Sequence, residues 1–272
     1  MVRYDATTTI IFDTPPYLFF AIIGIVFATS FFIILLLKYN YSIPRYTKIF
    51  LLSSIGLLLG SLLFGCLSSL YSTLANSEKI SIHTFTSGGI VFYGGMIGFL
   101  SAFLLICKIW NKKIENGVLD LVVVCIPLFH FFGRLGCYYA GCCFGIENYS
   151  ILSIIYTTNI DHEIITLSRF PVQLLEAFFN LCLFVFLLIL LSKKRFKEHL
   201  TILYLIIYAV MRIFVEMLRG DEVRGVWNGV SFSQVVSVAI LLFCVLYVYR
   251  KQREKKHEEI ELIKVGVNHE SY

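Results

Sequence analysis

The sequence predicts an all-α, polytopic membrane protein with seven transmembrane helices. Of its 272 residues, 58% are apolar and 15% are charged, with a mean hydropathy of +0.79, whereas soluble domains are about 45–50% apolar and about 25% charged. Seven apolar runs have the length of roughly 20 residues that a helix needs to cross the bilayer. The length excludes a disulfide-stapled mini-protein, the hydrophobicity excludes a disordered chain, and the scattered basic residues argue against a nucleic-acid partner.

Polar connectors separate the predicted helices. The first run follows Asp13 and a Pro-Pro pair rather than a basic segment, so we predict a retained helix and not a cleaved signal peptide. We expect one integral membrane domain over residues 1–249, a charged cytoplasmic tail over residues 250–272, and no cofactor or metal. The predicted spans lie near Tyr17 to Leu37, Ile49 to Tyr71, Ile90 to Ile109, Val118 to Tyr138, Val172 to Leu191, Leu200 to Leu218 and Val230 to Tyr249.

The distribution of basic residues predicts the orientation of the chain. Translocated loops are depleted of Lys and Arg. If the N-terminus is outside, sixteen of the 23 Lys and Arg residues fall in cytoplasmic connectors and in the tail. We therefore expect the N-terminus outside and the C-terminus in the cytoplasm.

Ionisable residues within the predicted spans gather toward the outer side. Such residues are costly in lipid and usually face a cavity. His130 and Arg134 lie near the outer end of the fourth helix, and Gln173 and Glu176 lie near the outer end of the fifth. A further stripe at helical spacing on the sixth helix must also face inward, and it consists of Tyr208, Arg212, Glu216 and Arg219. The alternatives are that Arg212 and Glu216 form a structural ion pair, or that Arg219 extends to the interface.

Glycines are dense in two segments, residues 130–145 and 87–98. They predict a bent helix that lets a large headgroup approach the backbone, or else close helix packing. Because guanidinium groups bind phosphate and can stabilise a phosphate leaving group, the segments and the arginines together predict chemistry on a phospholipid headgroup in the outer leaflet.

At these residues the sequence resembles the bacterial prolipoprotein diacylglyceryl transferase family. Gly133-Arg134-Leu135-Gly136, ending in Gly145, is similar to the family's glycine-arginine signature. Phe170 to Glu176 resembles its Pro-x-Gln-x-x-Glu entry to a helix, and the stripe from Tyr208 to Arg219 resembles its penultimate helix. Tyr93-Gly94-Gly95 stands in the place of its His-Gly-Gly, and Tyr17 falls where the family has a functional tyrosine. The similarity extends from about Tyr17 to Tyr249.

The resemblance implies transfer of a diacylglyceryl group from phosphatidylglycerol to the thiol of a lipoprotein-precursor cysteine. It implies a multi-pass protein of the bacterial inner membrane whose partners are phosphatidylglycerol, the precursor's signal peptide and membrane lipids, and a monomer is compatible with this reaction. The acceptor thiolate would attack the glycerol carbon and expel glycerol phosphate.

The resemblance also implies roles for individual residues. Arg134 and Arg212 would bind the phosphate, while Glu216 would orient Arg212 and Glu176 a neighbouring donor. Tyr93 and Tyr17 would hold the glycerol or assist proton transfer, and His130 would be the base, or else a hydrogen-bonded histidine at a helix end. The remaining predicted substrate-binding residues are Gly94, Gly95, Gly133, Gly136, Gln173, Tyr208 and Arg219.

The chain departs from the family pattern at four positions, where Tyr93 replaces a histidine, Cys137 and Ala140 replace asparagines, and Cys142 replaces a glutamate. Cys137, Cys142 and Cys143 form an outer group that we interpret as packing or a disulfide, as reactive thiols, or as a metal site. Two alternative functions follow: a membrane thiol oxidoreductase using these cysteines, and a non-catalytic phospholipid or lipopeptide binder.

Overall fold

The structure, a computed structural model, describes residues 2–5, 15–77, 79–86, 89–110, 114–160, 163–193, 199–220 and 226–269. Within this part of the chain, seven helices are long and apolar enough to cross a membrane, which confirms the predicted fold class. The spanning helices are α1 (Pro16–Lys38), α2 (Ile43–Ala75), α4 (Phe92–Ile109), α5 (Val118–Tyr139), α6 (Val172–Ser192), α7 (Leu200–Met217) and α8 (Phe232–His269), and a short helix α3 covers Ile82–Thr86.

Helix α5 lies at the centre of the bundle. About 67% of its spanning window is buried, compared with 17–39% for the other six helices. It packs against α1 on one side and α6 on the other. Gly136 lets α1 approach closely, because a Cβ at this position would lie 3.1 Å from the Cβ of Phe20. Residues on α5 are therefore placed to contact several other helices.

Glycines also bring α2 and α4 into backbone contact. A Cβ on Gly94 would collide with the carbonyl oxygen of Gly60, and a Cβ on Gly98 would collide with that of Gly56. Small residues at such spacing allow membrane helices to pack closely in the absence of a hydrophobic driving force. This packing fixes the start of α4, where Tyr93 lies, against α2.

Short strands accompany the helices, and the sequence analysis predicted none of them. β1 (Val2–Asp5) pairs in parallel with β2 (Ile154–Ile160), and β2 pairs antiparallel with β3 (Glu163–Arg169). A second hairpin, formed by β4 (Val226–Trp227) and β5 (Val230–Ser231), precedes α8. The strands adjoin the end of α5, the start of α6 and the start of α8, which is the end of the bundle that holds the predicted site.

Two helices extend well beyond their predicted membrane spans. Helix α2 is 33 residues long, ten more than predicted, because its first turns contain Arg45 and Lys48 and so fall outside the apolar run that predicts a span. Helix α8 continues as one helix from the seventh span to His269, so the predicted tail is a continuation of that helix over residues 250–269. A charged helix end carries no hydropathy signal, although it retains helical propensity.

Candidate active site

Two arginines from different helices share one buried carboxylate. Glu176 Oε2 lies 2.6 Å from Arg134 Nε, and Glu176 Oε1 lies 2.8 Å from Arg212 Nη1. The Glu176 side chain has no solvent exposure, and the two arginine side chains are 8% and 5% exposed. The packing of α5, α6 and α7 therefore brings together residues that lie 36 or more positions apart in the sequence.

Arg212 holds a second carboxylate on its own helix. Its Nη2 lies 2.6 Å from Glu216 Oε2, at i,i+4 spacing, and the same nitrogen donates to Ser233 Oγ on α8 at 3.4 Å. The planar guanidinium thus joins α6, α7 and α8. Tyr208, Arg212 and Glu216 are buried on α7, as the predicted stripe requires. The prediction was wrong for Arg219, which is buried but lies beyond the end of α7 at Met217, because the chain leaves the helix there to form a bridge with Gly145.

His130 lies one turn before Arg134 on α5 and contacts it directly. The Nε–H of Arg134 donates to His130 Nε2 at 3.2 Å. The imidazole also stacks on Phe92 of α4, with ring centroids 3.5 Å apart and an interplanar angle of 8°. The accepting nitrogen of His130 is therefore occupied by the guanidinium in this structure.

Tyr93 joins α4 to α8. Its hydroxyl lies 2.6 Å from Ser237 Oγ, and Ser237 Oγ donates to the carbonyl oxygen of Ser233 at 2.8 Å. Because the single serine proton is used in that second bond, the tyrosine hydroxyl is the donor of the first. Tyr93 is buried beside Tyr208, with ring centroids 5.2 Å apart.

The loop after α5 is held against the start of α6 and the end of α7. Gln173 Nε2 donates to the carbonyl oxygen of Cys142 at 2.7 Å. Gly145 forms an isolated bridge with Arg219, and its N–H donates to the carbonyl oxygen of Phe170 at 2.9 Å. A Cβ at Gly145 would lie 2.6 Å from that same oxygen, so a glycine is required for this close approach.

Cys137 in the last turn of α5 meets Cys142 and Cys143 of the loop that follows. Their sulfur atoms all lie within 4.8 Å of one another, and all eight cysteines, each within the described part of the chain, are free. Hydrogen bonds from the Cys137 and Cys142 thiols, together with the charges of Arg219 and Arg134, hold the pKa of Cys143 well below its ordinary value. This environment favours the thiolate of Cys143.

Of the other predicted site residues, Tyr17 and Gly133 lie at accessible positions, whereas Gly94 and Gly95 lie in a contact between helices. Tyr17 is 37% exposed at the start of α1, and its backbone lies beside Gly136. Nothing within 4 Å would meet a Cβ on Gly133, so this glycine faces open space. Gly94 and Gly95 face α2, where helix packing accounts for Gly94, and a substrate contact for either residue stays a prediction.

An apolar cavity of about 30 Å³ lies deeper in the bundle. Residues of α1, α2, α4 and α5 line it, among them Ile25, Phe50 and Phe92, and the arginines of the site are absent from its described lining. Phe92 therefore separates this cavity from His130, on which it stacks.

Comparison with known proteins identifies the family. The family model of prolipoprotein diacylglyceryl transferase matches residues 8–250. The chain belongs to the prolipoprotein diacylglyceryl transferase family. The chain is 32% identical over 235 residues to phosphatidylglycerol–prolipoprotein diacylglyceryl transferase 2 of Clostridium perfringens, covering 86% of this chain and 90% of the relative. It is 31% identical over 219 residues to the transferase of Clostridium tetani, covering 80% and 85%, and 33% identical over 178 residues to that of Helicobacter pylori strain J99, covering 63% and 61%.

The four positions at which the sequence analysis expects departures from the family pattern lie on two sides of Arg134. Cys137 and Cys142 belong to the cysteine group, and Ala140 is the C-cap of α5 between them. Tyr93 lies on the other side, toward α8. These positions therefore lie on both sides of the arginine–carboxylate network.

The sequence analysis missed several polar residues that support this transferase site. Asn180 is fully buried and donates from Nδ2 to the carbonyl oxygen of Glu176 at 2.7 Å. Ser233 and Ser237 hold Arg212 and Tyr93 from α8. Their i,i+4 spacing, shared by Glu176 and Asn180, was a signal that could have found them.

Proposed function

We propose that the protein transfers the diacylglyceryl group of phosphatidylglycerol to the thiol of a lipoprotein-precursor cysteine. The observation that carries this proposal is the meeting of Arg134 and Arg212 on Glu176 in a buried site. Family membership supports it, because the relatives are named as transferases of this kind.

The charges of the site suit a phosphodiester. Three arginines and two glutamates are buried at this end of the bundle, which leaves one positive charge in excess when all five are ionised and the neighbouring thiols are protonated. The phosphodiester of phosphatidylglycerol carries one negative charge. Binding of the headgroup would therefore neutralise the site, and a fixed guanidinium needs no reorganisation to stabilise charge that develops on the leaving phosphate.

The proposed reaction is a nucleophilic displacement at the glycerol carbon of the lipid. The acceptor thiol loses its proton, and the thiolate attacks the glycerol carbon that carries the phosphate ester. A carbon–sulfur bond forms while the carbon–oxygen bond breaks, and its electron pair leaves with glycerol phosphate. The products are a thioether and glycerol phosphate, whose added negative charge lies against Arg134 and Arg212.

In this proposal His130 is the base, and phosphate binding controls whether it can accept a proton. Its Nε2 accepts a hydrogen bond from Arg134 in the structure. A phosphate that draws the Arg134 Nε–H toward its own oxygens would release this nitrogen to accept the thiol proton. The base would then become available only after the lipid has bound.

The remaining substrate contacts and the cellular location belong to the same proposal. Tyr17 and Gly133 border the open end of the site, where Tyr17 would contact the glycerol moiety. Gln173 and Tyr93 would shape the site from either side of Arg134, and Glu216 would orient Arg212. The site faces the outer leaflet of the bacterial inner membrane, with the N-terminus outside, since the basic connectors lie at the opposite end of the helices. The acceptor is the cysteine of a precursor signal peptide.

The test uses the purified chain in phosphatidylglycerol liposomes with a cysteine-containing precursor signal peptide. We expect a mass increase of one diacylglyceryl group on the peptide and release of glycerol phosphate. Arg134→Ala and Arg212→Ala should each lower the rate by about 10²–10³-fold, the loss typical of removing one group that stabilises transition-state charge. Arg45→Ala is the matched control, because Arg45 pairs with Glu115 near the opposite end of the bundle.

The same experiment separates the alternatives. An oxidoreductase would give disulfide-linked peptide rather than a thioether, and a lipid binder would retain labelled phosphatidylglycerol without releasing glycerol phosphate. Wild-type rates in both arginine variants would exclude the proposed site.

A further inference from the structure

The three outer cysteines form a preformed group of thiol ligands. Cys137 is buried in the last turn of α5, and Cys142 and Cys143 are half-buried in the loop that follows. The three sulfur atoms lie within 4.8 Å of one another and none is in a disulfide. One buried and two half-buried ligands leave a route for an ion from the surface.

The backbone folds so that the three thiols meet. Gly141 and Cys143 adopt positive φ angles of 65° and 59°, which reverse the chain directly after α5. The Cys142 N–H donates to the carbonyl oxygen of Cys137 at 3.2 Å. A non-glycine residue at positive φ is uncommon, and here it directs the Cys143 side chain toward the other two sulfurs.

Two contacts hold this loop independently of the thiols. Gln173 Nε2 donates to the carbonyl oxygen of Cys142 at 2.7 Å, and Gly145 N–H donates to the carbonyl oxygen of Phe170 at 2.9 Å. The loop is therefore fixed on the start of α6 on both sides of Cys143. Hydrogen bonds that orient the ligand backbone reduce the ordering cost of binding an ion.

We propose that Cys137, Cys142 and Cys143 bind a soft d¹⁰ metal ion, either Cu(I) or Zn²⁺. Thiolates select these ions. With a metal–sulfur distance of about 2.3 Å, ligand sulfurs in such a site lie close to 4 Å apart, which the group reaches by a contraction of less than one ångström. Three thiolates complete a trigonal Cu(I) site, whereas Zn²⁺ would take a water molecule as fourth ligand on the half-exposed side.

The neighbouring charges favour this complex. Arg134 and Arg219 interact electrostatically with Cys143. Three thiolates around Cu(I) carry two negative charges, and around Zn²⁺ one. The two guanidinium groups offset this charge in a partly desolvated site. A disulfide, in contrast, would join only two of the three sulfurs. No step of the transferase reaction requires the ion, although Arg134 is shared between the two sites.

Cd²⁺ is the probe, because its thiolate complexes absorb in the ultraviolet. The full chain, purified in detergent under reducing, oxygen-free conditions, should bind one Cd²⁺ with a cadmium–thiolate absorption band. Cys142→Ser should weaken Cd²⁺ binding by at least about 100-fold, since even losses of outer-shell partners cost about 10–100-fold. Cys182→Ser is the matched control, because Cys182 is an exposed cysteine on α6 that should leave the titration unchanged.

Competition identifies the ion. Displacement of Cd²⁺ by stoichiometric Zn²⁺ indicates zinc, and displacement by Cu(I) alone indicates copper. A measurement on the wild-type chain keeps the test independent of folding in the variants: bound metal should slow alkylation of Cys142 and Cys143 but not of Cys182, as read by peptide mass spectrometry. The proposal is overturned if the wild-type chain shows no cadmium–thiolate band, if Cys142→Ser titrates like the wild type, or if untreated protein contains a disulfide within the group.

Discussion

Glu176→Gln tests whether one carboxylate holds both arginines of the site. The substitution keeps the shape of the side chain and removes its charge, so that contacts of 2.6 Å to Arg134 and 2.8 Å to Arg212 lose their ionic character. Charge-assisted contacts contribute about 1.5–3 kcal/mol each, and removing one partner from a buried ion pair costs about 3–5 kcal/mol. We expect the free energy of unfolding to fall by about 3–5 kcal/mol.

The assay is reversible unfolding of the purified chain in detergent micelles, with transfer activity measured in parallel. Glu147→Gln is the control, because Glu147 is 61% exposed and lies 3.6 Å from Arg169. An exposed pair of this kind contributes about 0–1 kcal/mol. The reasoning is refuted if the two variants differ by less than about 1 kcal/mol in their free energy of unfolding.

A double-mutant cycle sharpens this result. Arg134→Gln leaves a buried carboxylate with one fewer partner. It should therefore lower the free energy of unfolding more in the wild-type background than in the Glu176→Gln background. Contacting residues in one ion-pair network show coupling energies of about 0.5–3 kcal/mol. Additive effects would contradict the shared carboxylate.

Three further predictions concern the surroundings of this network. Gly98→Ala should lower the free energy of unfolding in detergent micelles by about 1–3 kcal/mol, because its Cβ collides with the backbone of α2. Gly133→Ala, at a position that faces open space, should cause no loss in the same assay, and equal losses would contradict the packing argument. Tyr93→Phe should lower the free energy of unfolding by about 0.5–1.5 kcal/mol, because the hydrogen bond to α8 is lost. Tyr149→Phe, which alters an exposed side chain, should leave denaturant unfolding unchanged. An unchanged free energy for Tyr93→Phe would argue against a structural role for this bond. His130→Asn should lower kcat by about 10²–10⁴-fold in the liposome assay if the imidazole accepts the thiol proton, and wild-type turnover would remove it from the reaction.

The spanning helices were predictable because hydropathy is a local property of the chain. Runs such as Val118 to Tyr138 are apolar over the length that lipid demands, so their assignment needed no knowledge of their neighbours. The strands were not predictable in the same way, because β1 pairs with β2 across 152 positions of sequence and neither contains enough residues to fold alone.

The candidate site was predictable in part. The i,i+4 spacing of Arg212 and Glu216 places them on one face of α7, and the structure pairs them. The supporting serines of α8 carried only a weak signal, because serine is common in membrane helices as a packing residue. Their contacts with Arg212 and Tyr93 depend on how α8 approaches α4 and α7.

The sequence by itself determined the membrane class, the number of spans, the inward face of α7 and the family. The tertiary structure alone decided that Glu176 lies between Arg134 and Arg212, that the His130 nitrogen accepts from Arg134, and that three cysteines meet beside them. The physical reason is that periodicity fixes which way a side chain faces from its own helix, whereas its partner across the bundle is set by helix packing, and here glycines on α2, α4 and α5 set the distances of closest approach.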